Sequence, residues 1–133
     1  MARYATALGR NPEATYRQID AAGRTGEADG HALVELLYDE VVRALRAAGW
    51  AAANYNYPVR SEKVSRSLAI LFALESGLDF DRGGDVAKTL ARLYAGARDQ
   101  VIDASLGHDA EPFDTIAATL EEIGAVWASL KVA

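Results

Sequence analysis

Six apolar residues, Phe113, Ile116, Leu120, Ile123, Trp127 and Leu130, succeed one another at steps of three, four, three, four and three. That period gathers them on one face of an α-helix and would scatter them over both faces of a strand. The same step recurs in three earlier segments: Leu33, Val34, Leu37, Tyr38, Val41, Leu45 and Ala48; Val64, Leu68, Leu71, Leu74 and Leu78, with Glu75 as one charged member; and Val86, Leu90, Leu93, Ala97 and Val101. Proline, the residue most disruptive to a helix interior, occurs only at positions 12, 58 and 112. Amphipathic segments joined by short breaks bury their stripes by packing side by side. The chain is therefore predicted to be all-α, an antiparallel four-helix bundle with an N-terminal arm.

The residues between the stripes mark the helix ends. Asp29 is a candidate N-cap for the first helix, and Ser61 for the second, which is predicted to run to about Leu78. Asn54-Tyr55-Asn56-Tyr57-Pro58 stops the first helix, because Asn favours turns and Pro58 biases Tyr57 away from helical angles. Gly83-Gly84 permits the turn into the third helix. Gly107-His108-Asp109 separates the third from the fourth, and Pro112 suits a first helical turn. Residues 1–29 hold only Tyr4, Leu8, Tyr16 and Ile19 as sizeable apolar anchors. They are read as a partly flexible arm placed to cap a bundle groove, and residues 30–133 as the bundle. At 133 residues the chain has room for one such core.

Composition and motifs exclude most chemistry. Fourteen basic against nineteen acidic residues give a net charge of −5, so the positive field that nucleic-acid binding needs is missing. No run of apolar residues is long enough to insert in a membrane, and the lack of cysteine fits a reducing compartment without proving one. Neither His31 nor His108 has a Glu three residues before it, as a di-iron bundle would require. Both are read as solvated or capping residues at helix boundaries. Asp79, Asp81 and Gly84 suggest a calcium loop, but Leu90 stands where the bidentate Glu belongs. Ser105, His108 and Asp109 cluster at a helix end without the setting of a catalytic triad. Glu35 and Asp39, followed by Arg43, read as a solvated helix face. No enzyme activity, metal or cofactor is expected.

Several local patterns taken together resemble the flagellin-specific secretion chaperone family, FliS. Tyr16-Arg17-Gln18-Ile19 is similar to a Tyr-x-Gln-Ile motif in that family's arm. Leu33-Val34-Glu35-Leu36-Leu37-Tyr38-Asp39 resembles its Leu-Val-x-Met-Leu-Tyr-Asp signature. Leu78-Asp79, Gly83-Gly84-Asp85-Val86-Ala87, Leu90 and Leu93-Tyr94 follow its pattern across the second connection, and Trp127 matches a late tryptophan. Glu40 departs from the family's usual Gly, and Asp29-Gly30-His31 from its Ser-Pro type entry.

The resemblance implies a cytoplasmic chaperone, active as a monomer or weak homodimer, that binds the disordered C-terminal segment of flagellin. It would block premature polymerisation and deliver the client to the flagellar export gate, with other flagellar regulators as further partners. Tyr16 and Ile19 are implied at the client surface, with pinning of the arm as the alternative role. Tyr38 and Asp39 carry the helix-one signature, either as client contacts or as structure. Leu68, Leu71, Leu90, Leu93 and Tyr94 are candidates for a client groove, although leucines at this spacing are ordinarily core. Trp50, Tyr55 and Tyr57 form a separate candidate partner contact. A generic helical interaction module, or a chaperone for another exported subunit, is the alternative function.

Overall fold

A computed structural model of the chain describes residues 27–129. Among them the regular elements are four helices and no strand: α1 Glu27–Ala53, α2 Tyr57–Ser76, α3 Phe80–Ala104 and α4 Glu111–Ser129. Each predicted stripe turns inward. Val34, Tyr38, Val41, Leu45 and Ala48 of α1 meet Val64, Leu71 and Leu74 of α2, Leu90, Ala97 and Val101 of α3, and Phe113, Ile116, Leu120, Ile123 and Trp127 of α4 in one core. Leu37, Leu68, Val86 and Leu93 are only partly buried at its edge.

α1 packs along α2 and α4, while α3 packs less extensively against the same two neighbours, so α1 and α3 stand at opposite corners. The sense of α1 against α4 is antiparallel. His31, near the start of α1, stacks on Trp127 near the end of α4, whereas Gly49 lies under Ala110 and Phe113 at the opposite end. A Cβ at Gly49 would approach the Ala110 carbonyl oxygen to 3.2 Å, so this close crossing depends on glycine.

The helix ends differ from the sequence expectation in informative ways. Asp29 is inside α1 and not before it. α2 begins at Tyr57, four residues before Ser61, and its cap is Asn56, whose Oδ1 accepts the Val59 N–H at 3.3 Å. Pro58 is accommodated because the first helical turn needs no donor there. α2 stops at Ser76 with Gly77 as C-cap, and Leu78 still reaches the core. α1 closes in a Schellman arrangement, with the Asn56 N–H donating to the Ala51 carbonyl and the Tyr55 N–H to that of Ala52. Tyr55 takes the left-handed position at φ 56° that glycine usually fills. The paired glycines lie later than expected: the α2–α3 turn falls before Phe80, at residues 77–79, and of the pair Gly84, at φ 54° and ψ −131°, kinks α3 near its start.

Candidate functional site

The residues singled out from the sequence separate into several environments. Tyr38, Leu71, Leu90 and Tyr94 are core residues, each 3% exposed or less. The Tyr38 and Tyr94 hydroxyls lie 2.6 Å apart in a buried hydrogen bond that crosses from α1 to α3. Burial pushes both phenols well above their ordinary value of 10.0, because the phenolate would lose its hydration. Gly124 lets α4 close over Tyr38, since a Cβ there would come within 3.1 Å of the Tyr38 Cβ. Leu68 and Leu93 are half-buried at the edge of the core. Asp39 is exposed. With Glu35, Val42, Arg43, Glu121, Gly124 and others it lines a shallow groove of about 330 Å³ between α1 and α4. Tyr16 and Ile19 lie outside the described residues.

The structure does not bring Leu68 and Leu93 to one surface. Leu93 and Ile102 are about two and a half turns apart on α3 and so occupy opposite flanks. The flank of Ile102 faces α2, because Arg98, one turn away, ion-pairs with Glu75 and holds its guanidinium 5.8 Å from the centre of the Phe72 ring. Phe72 is 61% and Ile102 48% exposed. Leu68, one turn before Phe72, extends the same flank of α2. The α2–α3 seam therefore carries an open apolar strip of Leu68, Phe72 and Ile102, crossed by the Arg98–Glu75 pair. Sequence reading missed Phe72 and Ile102. Their signal was that each is a large apolar residue outside its helix's inward stripe, and so was not accounted for by the core.

A second set of rings sits at the end where α1 turns into α2. The Tyr55 ring stacks on His108 with centroids 4.1 Å apart, Tyr57 meets the same imidazole edge-on at 5.9 Å, and Arg60 lies over Tyr57 at 5.0 Å. Arg60 also donates to the Gly107 carbonyl at 2.8 Å. These contacts tie the α1–α2 turn to the α3–α4 turn, so Tyr55 and Tyr57 are partly engaged within the chain. Trp50 remains 58% exposed. His31 departs from its expected solvated or capping role: it lies inside α1, is 9% exposed and stacked on Trp127 at 4.2 Å, and its carbonyl accepts the Trp127 indole N–H at 3.2 Å.

Among the described residues no group of three or more His, Asp or Glu is arranged to hold a metal ion, and no helix is long and apolar enough to cross a membrane. The exposed apolar side chains of the α2–α3 seam, Phe72 and Ile102, are bordered by the Arg98–Glu75 pair.

Residues 12–133 match the family described as Flagellar protein FliS. The chain is 28% identical over 112 residues to the flagellar secretion chaperone FliS of Vibrio cholerae, covering 84% of this chain and 82% of that one. It is 27% identical over 113 residues to the protein of the same name from Salmonella typhimurium, covering 84% of each. Over a shorter stretch of 62 residues it is 37% identical to that of Campylobacter jejuni, 47% of this chain and 48% of the other.

Proposed function

Since the chain belongs to the FliS family of flagellar secretion chaperones, we propose that its client is flagellin. In this reading it binds the disordered C-terminal segment of newly made flagellin in the cytoplasm, blocks premature polymerisation and delivers the client to the flagellar export gate. The observation that carries it is the open strip of Leu68, Phe72 and Ile102 along the α2–α3 seam. An amphipathic segment that is unfolded alone can lay its apolar side chains there and become helical as it binds, its ordering entropy being offset by apolar burial. The Arg98–Glu75 pair supplies polar partners that orient it. Leu93 and Asp39 lie on other faces, which suits a client that wraps around the bundle, and Tyr16 and Ile19 of the arm are further contacts in this proposal. A net charge of −5 keeps copies of the carrier apart while apolar surface is open.

Calorimetric titration with a synthetic peptide of the flagellin C-terminal segment tests this reading. The expected result is stoichiometric binding with a negative heat-capacity change, the mark of apolar burial. Phe72→Ala and Ile102→Ala should each weaken binding about tenfold while leaving stability within about 0.5 kcal/mol, as exposed positions do. A folded protein that ignores the peptide at micromolar concentration would refute the client assignment and return the generic interaction module.

A further inference from the structure

Leu106 is the most exposed large apolar side chain among the described residues, at 81%, and neither the core nor the strip of Leu68, Phe72 and Ile102 accounts for it. It stands just past the end of α3, where the backbone keeps winding: the Ser105 N–H donates to the Val101 carbonyl at 2.9 Å and the Leu106 N–H to that of Asp103 at 3.2 Å. Ile102 and Leu106, four residues apart on this path, therefore share one flank. That flank faces α2.

Two contacts bracket the α2–α3 seam. Glu75 meets Arg98 at one end, and Arg60 donates to the Gly107 carbonyl at the other. Leu106, beside Gly107, thus lies level with the first half of α2, where Ser61 and Ser65 are exposed between Tyr57 and Leu68. Tyr57 precedes Leu68 by three turns to within about 20° and so shares its flank. The apolar strip then continues, in order, through Phe72, Ile102, Leu68, Leu106 and Tyr57. From Phe72 to Tyr57 it spans about 22 Å of α2, roughly four turns of a helix laid alongside. Tyr57 is half exposed yet held in place, with Arg60 over its face at 5.0 Å and His108 at its edge at 5.9 Å. A ring fixed in advance loses little freedom when a partner packs on it.

The border of the strip is acidic. Asp99 and Asp103, one turn apart and exposed on α3, follow Arg98 and Ile102 on the side turned away from the core, and Glu62 is exposed on the outer side of α2. The basic groups nearby are engaged or face elsewhere: Arg98 pairs with Glu75, Arg60 is held by Gly107 and Tyr57, and Arg66 pairs with Glu40 of α1, on the flank that Lys63 shares. We propose that the client fills the whole seam as one amphipathic helix of about four turns, with Leu106 and Tyr57 as contacts beyond the strip described above. Lysine or arginine beside its apolar face meets Asp99, Asp103 and Glu62. The inference rests on the flagellin reading and states which part of that segment fits the seam: a helix-in-groove ligand with basic flanks.

The calorimetric titration of the full chain with the flagellin C-terminal peptide is repeated for Leu106→Ala, Tyr57→Ala and Asp99→Lys/Asp103→Lys. Leu106→Ala and Tyr57→Ala should each weaken binding about tenfold. The charge reversal should weaken it about three- to tenfold at low salt, with the difference closing as salt is raised and screens the rim. Binding that Phe72→Ala weakens but Leu106→Ala leaves unchanged overturns the extension while the client reading stands. Binding unchanged or strengthened by the charge reversal overturns the basic flanks. Native protein that does not bind the peptide refutes the client reading, and the extension with it. Leu106 is almost fully exposed, so Leu106→Ala keeps the fold and decides the extension even if Tyr57→Ala does not fold.

Discussion

Two glycines on α3 should respond with opposite sign to the same substitution. Gly84 and Gly96 each have nothing within 4 Å of a Cβ built onto the backbone, so alanine meets no steric obstacle at either. Gly84 holds φ 54° and ψ −131°, where an L side chain is strained by about 1–3 kcal/mol. Alanine recovers about 0.4–1 kcal/mol by restricting the unfolded chain. The net for Gly84→Ala is then a destabilisation of up to about 2.6 kcal/mol, and of about 1.3 kcal/mol at the midpoints of the two ranges. Gly96 is helical, so Gly96→Ala should stabilise by about 0.5–1 kcal/mol. Urea unfolding followed by circular dichroism reads both as shifts of midpoint at constant slope. Gly83 supplies the contrast in mechanism. Its added Cβ would stand 2.7 Å from the Ala87 Cβ, so Gly83→Ala should be destabilising but rescued by Ala87→Gly, whereas Gly84→Ala should not be rescued. A Gly84→Ala variant as stable as the native chain would refute the argument that this bend depends on backbone angle.

The cap of α2 can be located by paired variants: Asn56→Ala should cost about 1 kcal/mol, while Ser61→Ala, inside the helix, should stay within about 0.5 kcal/mol in the same unfolding assay. Alkali should unfold the bundle through Tyr38 and Tyr94. Their folded values lie above the unfolded 10.0, so the folded state retains protons that the unfolded state has released. Their contribution is complete below pH 10.0 and is lost as pH rises toward and through the folded values. Tyrosinate absorbance should show two phenols silent until the helical signal collapses.

The bundle was legible because its apolar period is local, as the fourth stripe shows: Phe113 through Trp127 is buried at every predicted position within the described residues. Cap positions were less legible. Asn56 and Ser61 are both good caps by residue type, and choosing between them required knowing that the α1–α2 turn closes tightly enough for the helix to begin at Tyr57. His31 was misread for a related reason. Its cover is Trp127, 96 residues away, and no local pattern announces such a lid. Phe72 and Ile102 show the same limit at the site. The stripe identifies what faces inward, but whether an apolar residue outside it is covered depends on the neighbouring helix.

Tyr38 and Tyr94 belong to separate stretches that resemble the family's Leu-Tyr-Asp and Leu-Tyr patterns, and from the sequence each was a candidate contact for a client. The structure joins them across 56 residues in one hydrogen bond. A short motif on a helix is naturally read as surface chemistry, yet a buried tyrosine in place of phenylalanine needs a polar partner in the core. Each motif therefore carries half of a tertiary constraint, which is why neither half could be interpreted alone. The apolar strip that a client would touch has no comparable demand on geometry, since exposed side chains can adapt to the partner.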